Sequence, residues 1–403
     1  MIQSSLHEKT DGGQKNASID SFSKKTEKTG LTPLIVITTG GSGGHIFPAE
    51  TTMKELQKKG YRLVFMTDRR GKEFTGDLSG VKIYRLMAES VTGKKLFSKA
   101  AAAFKLGIGV MQALWLLFRM KPSLVMGFGG YASVPTGIAA EILGVPVLLH
   151  EQNAVLGRAN RLLAKRAAVV ATSFEKTERI PSNVQTVYAG MPVRPSVLEY
   201  LPAPYPERKN GMFDLLIFGG SQGARFFGEF LPKALAGLPV ELKKKIRITQ
   251  QVRADHLEQV RKIYDSCGFS DVVLAPFFSN MPELMAKAHL VIGRSGASTI
   301  TELFAFGRPA ILIPLPTSAD NHQEKNAYFF TETGAGWMMK ESELTAEKFA
   351  LRIEELIKNP ELLEKASGCA LAHKNTQAAL KTAETAEEVI KKSACEKQES
   401  AHV

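Results

Sequence analysis

The chain has 403 residues, with 52 Lys and Arg against 40 Asp and Glu, so its formal net charge is +12. Charged residues make up 23% and apolar residues 44%, ordinary globular values that exclude a wholly disordered or fibrous chain. The length predicts two domains. The basic excess predicts an anionic partner, which could be nucleic acid, a membrane surface or a phosphorylated substrate.

Both the cysteines and the apolar runs favour a cytoplasmic protein. Cys267, Cys369 and Cys395 form no CxxC pair, as expected in a reducing compartment. Residues 1–30 lack an apolar run and are predicted to be a disordered extension rather than a signal peptide. The longest strongly apolar run, 106–118, has 13 residues, and a membrane-spanning helix needs about 20. No membrane span is therefore predicted.

Short β-branched runs alternate with helical stretches, which predicts an α/β protein with parallel sheets. A strand at Leu34–Thr38 leads through glycines into a helix over 48–59. Further strands are predicted at 62–66, 124–126 and 145–149. After a proline-rich linker at 195–211, a strand at 215–218 enters a second glycine loop and the scheme repeats. The sequence thus predicts two Rossmann-like halves, with a frayed Lys/Glu-rich tail past residue 385.

The first glycine loop, residues 40–45 (GGSGGH), is suited to an anionic ligand. Glycines let the backbone approach a ligand, and the following helix presents free N–H groups to it. Ile46 stands at the last glycine position of a dinucleotide fingerprint, which argues against a dehydrogenase, although Asp68 could mimic that family's ribose-binding acid. Glycines that serve only tight turns are the remaining alternative.

A second polar cluster follows two later strands. Glu302 is expected one turn inside a helix after the strand Leu290–Gly293, where it could bind both ribose hydroxyls or act as a capping residue. Residues 320–326 (DNHQEKN) follow the strand predicted at 310–313. They crowd amide and imidazole groups as sugar recognition requires, although a solvated loop would look much the same.

Six segments together resemble one family closely. They stand in the family's order, and the resemblance covers about residues 33–360. The segments are 40–48 (GGSGGHIFP), 129–135 (GGYASVP), 150–153 (HEQN), 190–194 (GMPVR), 219–225 (GGSQGAR) and 294–302 (RSGASTITE). The chain is identified on these segments as similar to the MurG family of bacterial glycosyltransferases.

The resemblance implies a GT-B fold, in which two Rossmann-like domains with parallel sheets face each other across a cleft. The implied division is a disordered extension at 1–30, an acceptor- and membrane-facing domain at 31–195 and a UDP-GlcNAc-binding domain at 196–365. Residues 366–403 are expected to form a C-terminal helix, with packing back on the N-terminal domain as one option, and a frayed tail. The implied reaction moves GlcNAc from UDP-GlcNAc to the 4-hydroxyl of MurNAc in lipid I. It inverts the anomeric carbon and gives lipid II.

The resemblance also implies a donor site. In it Ser221 and its loop contact the diphosphate, and Arg194 lies near the donor. Phe278 lies against uracil and Glu302 binds the ribose hydroxyls. The other implied donor-site residues are Ser42, Gly43, Gly44, Asn153, Ala297, Ser298, Thr299, His322 and Gln323. The chain departs from the family in having Ser42 for a usual Thr, His322 for a frequent Gln, and Met191 for a common Asn.

An inverting transfer needs a base for the acceptor proton. His45 is the first candidate, and the alternative is that it binds a backbone carbonyl or the acceptor pyrophosphate. Glu151 is the reserve candidate, whereas His150 is expected to be a core histidine. No Asp-x-Asp pair stands in a suitable loop, so neither a metal nor another cofactor is predicted.

The positive charge is concentrated between Glu89 and Glu141, where the chain has no acidic residue. A membrane patch is predicted there around 93–106, and 108–118 is interpreted in part as a core helix. The patch residues are Lys94, Lys95, Leu96, Phe97, Lys99, Phe104 and Lys105. We therefore expect a peripheral protein on the cytoplasmic face of the inner membrane, in contact with anionic lipid and with cell-wall synthesis complexes.

Two other functions compete with this interpretation. An enzyme like the UDP-GlcNAc 2-epimerases would share the fold and the donor but would need no lipid acceptor. A nucleic-acid-binding protein would also explain the charge. The sequence contains no zinc finger, no RNA-binding aromatic signature and no clear helix-turn-helix, so no nucleic acid is expected as a partner.

Overall fold

The computed structural model describes residues 32–40, 43–68, 80–88, 96–220 and 225–400, with side chains from residue 103 onward in the helix that begins at 96. Several predicted features lie outside this description. They are the N-terminal extension, Ser42, Lys94, Lys95 and Ser221, and the side chains of Leu96, Phe97 and Lys99.

The first half of the chain forms a seven-stranded parallel sheet in the order β3-β2-β1-β4-β5-β6-β7. The interior strand β1 pairs with β2 through Ile37 and Phe65 and with β4 through Ile37 and Met126. Its residues are buried on both faces, which explains the continuous apolar runs. The strands are β1 Leu34–Thr38, β2 Arg62–Thr67, β3 Lys82–Arg85, β4 Leu124–Gly127, β5 Val147–Glu151, β6 Val169–Thr172 and β7 Thr186–Tyr188.

Within the residues that the structure describes, four helices connect these strands. They are α1 Gly43–Lys58, α2 Leu96–Met120, α3 Ser133–Ile142 and α4 Arg158–Ala164. Helix α1 begins five residues before the predicted start at 48, so Gly43 and Gly44 are its first turn and Pro48 lies inside it. The prediction was wrong because low glycine propensity suggested a loop, whereas the helix starts almost directly from the end of β1.

The second half forms a six-stranded parallel sheet in the order β10-β9-β8-β11-β12-β13. Its strands are β8 Phe213–Phe218, β9 Ile246–Gln251, β10 Asp271–Ala275, β11 Leu290–Gly293, β12 Ala310–Leu312 and β13 Gly336–Met338. The order places β8 beside β11, as β1 lies beside β4 in the first sheet. The predicted repetition of one strand–loop–helix scheme is therefore present in the fold.

The helices of the second half, with the short helix of the linker, cover this sheet. They are α5 Pro195–Leu198, α6 Arg225–Leu235, α7 Val240–Lys243, α8 Leu257–Ser266, α9 Met281–Lys287, α10 Ala297–Phe306, α11 His322–Glu332, α12 Ala346–Lys358 and α13 Pro360–Ala372. Single 3₁₀ turns occur at Lys209–Gly211, Ala254–His256, Ala319–Asn321 and Glu341–Glu343.

The last helix, α14 Ala378–Glu399, returns to the first domain and packs against α1, β4 and β6. Ala383, Ala386 and Ile390 are buried there in the core of the first sheet. Because these apolar residues recur at helical spacing, the helix continues to Glu399, well past residue 385 where the composition predicts fraying.

Helix α2 is buried on one side and exposed on the other. Ala113 and Leu117 are buried in the core, and a Cβ at Gly109 would overlap the carbonyl of Met87, so the helix lies tightly on the domain. Its segment 103–120 is long and apolar enough to cross a membrane by length and composition, and 22% of it is buried. The interpretation of 108–118 as core therefore holds for one face only.

Candidate active site

The loops after β1 and β4 touch through glycines. The Gly40 N–H donates to the Gly129 carbonyl at 2.9 Å. Gly130 has φ of +77°, and a Cβ there would lie 2.7 Å from the Cα of Gly40, so a larger residue would separate the loops. A Cβ at Gly129 would lie 3.2 Å from Nδ1 of His45. The absence of a side chain at Gly129 therefore lets the ring of His45, in the first turn of α1, pack directly against the backbone of the loop after β4.

His45 lies half-buried at the cleft, and its Nδ1 is 2.9 Å from Oε1 of Gln152. Burial lowers the pKa of His45, while the hydrogen bond to Gln152 and the charge of Glu151 oppose that shift. His322 of the second domain is near enough to lower the same pKa further. A neutral imidazole at this position can accept a proton near neutral pH.

Glu151, the reserve candidate for the base, is 2% exposed and surrounded by donors. Its Oε1 accepts from the backbone N–H of Asn153 at 3.0 Å and from the Asn153 amide at 3.2 Å. Its Oε2 accepts from the Gly157 N–H and from the Asn160 amide, both at 2.8 Å. The carboxylate thus holds the loop after β5 in shape.

The strand end before Glu151 carries His150, which is fully buried. Its Nε2 lies 3.0 Å from the Gly190 carbonyl, and its ring stacks on Phe128 with centroids 5.3 Å apart. Burial lowers the pKa of His150 to about 4. This geometry is that of a neutral core histidine.

Asn153 connects the two domains. Its Oδ1 accepts from the amide of Asn326 at 3.1 Å, and Oδ1 of Asn326 accepts from the Ala154 N–H at 2.8 Å. Asn326 also donates to the Ser295 carbonyl at 3.1 Å. Asn326 is buried, so this polar contact is a fixed part of the cleft. The sequence placed Asn326 in the polar loop at 320–326 but assigned it no role.

Arg194 and Glu302 form a second connection. Arg194, just before α5, donates to Oε1 of Glu302 on α10 at 2.7 Å, and its guanidinium lies 5.4 Å from the ring centroid of Phe47 on α1. Glu302 is 6% exposed, and burial raises its pKa while Arg194 opposes the shift. Helix α10 begins at Ala297 after the N-cap Gly296, so Glu302 is its sixth residue and lies too far along the helix to be the Glu of a capping box.

The other predicted donor residues lie at the same end of the second sheet. Phe278 is further from the cleft than the rest, because it follows the edge strand β10. Ala297, Ser298 and Thr299 form the first turn of α10, where backbone N–H groups are free of intrahelical partners. Gln323, on α11, accepts from the Leu315 N–H at 3.0 Å through its Oε1, which leaves its amide nitrogen as the donor group. Phe278 is half-buried in the loop after the edge strand β10.

The structure contains an ion-pair cluster at the cleft that was not predicted from the sequence. Asp320 lies 3.0 Å from Arg158, 2.6 Å from Arg161 and 3.1 Å from Arg179, all three on the first domain. Hydrogen bonding from Arg158 is the largest influence that lowers the pKa of Asp320. Arg179 and Asp320 both have left-handed backbone, with φ of 66° and 53°. The loop composition marked Asp320 as polar, but its partners are distant in sequence.

A cavity of about 370 Å³ lies between the domains. Its lining includes His45, Glu151, Asn153, Asp320 and His322. A larger cavity, of about 630 Å³, lies at the amino end of the first sheet beside α14 and contains none of the predicted site residues. The cleft between the carboxyl ends of the two sheets is therefore the candidate active site, in agreement with the general rule for open α/β sheets.

The chain matches known glycosyltransferase domains over most of its length. Residues 35–172 match the glycosyltransferase family 28 N-terminal domain, and residues 214–386 match the glycosyltransferase family 28 C-terminal domain. A UDP-N-acetylglucosamine–N-acetylmuramyl-(pentapeptide) pyrophosphoryl-undecaprenol N-acetylglucosamine transferase from Paramagnetospirillum magneticum is 45% identical over 84% of this chain and 92% of its own length. The transferase of the same name from Rhodospirillum rubrum is 47% identical over 83% and 87%.

Solved structures of other proteins share this fold. Acinetobacter baumannii MurG is similar with a TM-score of 0.74 and 29% identity, covering 88% of this chain and 99% of its own. A Neisseria meningitidis UDP-GlcNAc 2-epimerase shares the fold with a TM-score of 0.60 at 16% identity, covering 88% and 100%. The relatives at 45–47% identity carry the transferase name, so the comparisons favour the transferase over the epimerase alternative. The chain belongs to glycosyltransferase family 28 and, within that family, to the MurG N-acetylglucosaminyltransferases, with a GT-B fold.

Proposed function

We propose that this cleft moves GlcNAc from UDP-GlcNAc to the 4-hydroxyl of MurNAc in lipid I, inverting the anomeric carbon and forming lipid II. The observation that carries the proposal is one cavity in which His45 of the first domain faces His322 of the second. A base on one side and a sugar-binding loop on the other are the arrangement that an inverting transfer between two bound substrates needs.

The second domain would hold the donor. The first turn of α10 presents N–H groups at Ala297, Ser298 and Thr299, and the remaining oxygen of Glu302 can accept from the ribose. Arg194 is held beside Glu302, where its charge can offset that of the diphosphate. His322 and Gln323 would bind GlcNAc, and Phe278 would lie against uracil. Ser42 and Ser221 keep the glycine-loop roles that the family resemblance gives them.

The first domain would supply the base. His45 is placed as the base in preference to Glu151, because the Glu151 carboxylate already accepts four hydrogen bonds from its own loop. The acceptor oxygen attacks the anomeric carbon, the bond to UDP breaks with its electron pair on the leaving phosphate, and the acceptor proton passes to His45. Arg194 and the glycine-loop helix ends would stabilise the leaving charge.

The exposed face of α2 would dock on the membrane. Phe104, Met111, Trp115 and Phe118 are 58–72% exposed, and their spacing places them on one side of the helix. Arg119 lies 5.0 Å from the Trp115 ring centroid. An apolar face with flanking cations is typical of helices that lie in the interface of anionic membranes. We therefore propose a peripheral position on the cytoplasmic face of the inner membrane, near cell-wall synthesis complexes.

The test is incubation of the purified protein with UDP-GlcNAc and a lipid I analogue. We expect UDP release that depends on the acceptor, together with a product heavier by one GlcNAc. An epimerase would instead rearrange the sugar without an acceptor, and that outcome would overturn the proposal. Binding of oligonucleotides in modest salt, without turnover, would favour a nucleic-acid-binding protein.

A further inference from the structure

Gln152 joins two imidazole rings at the floor of the cleft. Its Oε1 lies 2.9 Å from Nδ1 of His45, and its Nε2 lies 3.2 Å from Nδ1 of His150. The side chain is 2% exposed and His150 is fully buried, so solvent has little access to this bridge. Gln152 lies within the HEQN segment, but no role was predicted for it from the sequence.

The orientation of the Gln152 amide follows from its backbone neighbours. The carbonyl oxygens of Phe128 and His150 lie 3.0 and 3.2 Å from the same amide nitrogen. Carbonyl oxygens can only accept, so that atom is the NH₂ group and Oε1 is the acceptor. His45 must therefore donate from Nδ1. A neutral imidazole carries one N–H, so its Nε2 holds the free lone pair.

The other end of the bridge agrees with this assignment. The Gly190 carbonyl, 3.0 Å from Nε2 of His150, can only accept, so neutral His150 carries its proton on Nε2. Its Nδ1 is then an acceptor, and it receives an N–H from the Gln152 amide at 3.2 Å. Backbone carbonyls therefore determine which atom donates in each hydrogen bond that leads from Gly190 through His150 and Gln152 to His45.

We propose that Gln152 is a positioning residue for the transfer: it holds neutral His45 as the Nδ1–H tautomer and leaves Nε2 as the proton acceptor. The inference rests on the proposed role of His45 as base. As the acceptor oxygen bonds to the anomeric carbon and UDP leaves with the electron pair, the proton moves from that oxygen to Nε2. The imidazolium that forms still donates from Nδ1 to Gln152, so the same bond also stabilises the charge.

Three titratable groups surround His45, and each affects the pH readout. Glu151 raises the pKa of His45, His322 lowers it from the second domain, and buried His150 stays neutral near neutral pH because burial lowers its own pKa to about 4. The bond to Gln152 raises the pKa of His45, so its loss shifts that pKa downward. A carboxylate at residue 152 would shift it upward, because a negative charge stabilises the imidazolium.

The first experiment is a double-mutant cycle between Gln152→Met and His45→Ala, measured as kcat with a lipid I analogue. We expect Gln152→Met to lower kcat by about 10- to 100-fold, the effect of one hydrogen bond to a charged group. In the His45→Ala background it should have less than about a twofold further effect, because the residue through which it acts is absent. An equal loss in both backgrounds would overturn the proposal.

The pH dependence of kcat/KM separates positioning from folding. The acidic limb should move to lower pH in Gln152→Met and to higher pH in Gln152→Glu. The matched control is Gln250→Met: Gln250 is also fully buried, donates to the Phe227 carbonyl at 3.2 Å and accepts from Tyr264, but lies in the second domain. It should lower Tm without moving the limb. A limb that stays fixed in both Gln152 variants would contradict the proposal.

A direct measurement needs no change at residue 152. Two-bond ¹⁵N–¹H correlation spectra of the protein labelled at histidine distinguish the two tautomers, and His45→Ala identifies the His45 signals among those of the eight histidines. We expect the Nδ1–H form for His45 and the Nε2–H form for His150. An Nε2–H form at His45 would refute the inference whatever the activity of the protein. A correct tautomer with full activity in His45→Ala would instead refute the proposed base.

Discussion

Arg194 and Glu302, 108 residues apart, meet at 2.7 Å where the start of the linker contacts the middle of α10. One oxygen of the buried carboxylate is committed to the guanidinium. The same pair holds a positive charge against α10, and the free N–H groups in the first turn of that helix favour anions. The contact therefore couples Glu302, which is proposed to bind the ribose, to Arg194, which is proposed to lie beside the diphosphate.

Removing the Glu302 carboxylate should weaken donor binding. We expect Glu302→Ala to raise the KM for UDP-GlcNAc by about 10- to 100-fold, since a hydrogen bond to a charged group contributes about 1.5–3 kcal/mol. Steady-state kinetics at saturating acceptor measures this. Glu283→Ala, which alters a half-buried glutamate paired with Lys287, is the control. Unchanged donor kinetics in Glu302→Ala would contradict the ribose role.

His45→Ala should lower kcat by about 10²–10⁴-fold, the usual contribution of general base catalysis. The base works only when neutral, and burial lowers the pKa of His45. Wild-type activity should therefore persist below pH 6.5 and fall only as the pH drops through the lowered pKa. The acidic limb of kcat/KM should disappear in the variant. A loss of less than about tenfold would remove His45 as the base, and His256→Ala serves as a control.

Glu151→Gln should affect stability more than proton transfer. The substitution turns one of two acceptor oxygens into a donor that faces the N–H groups of the loop. We expect a loss of about 1–3 kcal/mol in the free energy of unfolding, the cost of unsatisfied buried groups. Denaturant unfolding measures it. If the acidic limb of the pH profile vanished in this variant and remained in His45→Ala, the two roles would have to be exchanged.

Asp320→Asn should loosen the contact between the domains. The variant removes the charge that faces Arg158, Arg161 and Arg179 across the cleft. We expect a larger radius of gyration by small-angle scattering and a higher KM for the lipid acceptor. Because those arginines lower the Asp320 pKa, the pairing is present above about pH 4, the ordinary Asp value, and is lost only at lower pH. Asp255→Asn is the control, and an unchanged radius would refute the coupling.

The exposed face of α2 can be tested by fluorescence. The chain has two tryptophans, so Trp337→Phe leaves Trp115 as the single probe. We expect a blue shift with anionic vesicles, and weaker binding at high salt because screening reduces the attraction to lipid headgroups. Phe104→Ser with Phe118→Ser should abolish the shift. Leu351→Ser, at an exposed apolar residue of α12, should not. An unchanged shift in the double variant would exclude this face.

The sequence by itself determined the architecture and the chemical class. Short β-branched runs that alternate with helical stretches identified the parallel strands, because a parallel strand pair needs a crossover connection, usually a helix. The glycine loops marked the cleft through local backbone geometry, and the HEQN segment marked it through the family resemblance. The order of six segments identified the family, and the family comparisons agree with it.

Only the tertiary structure decided how the marked residues pair. Glu302 could be a helix cap or a ribose ligand in the sequence, and its partner Arg194 comes from outside the helix. Asp320 pairs with arginines about 140–160 residues away. The orientation of the Gln152 amide is set by the Phe128 and His150 carbonyls, and the tautomer of its neighbour His150 is set by the Gly190 carbonyl. Helix α2 has a buried side and an exposed side, although both are apolar. Long-range contacts of this kind depend on how the elements pack, which local composition does not encode.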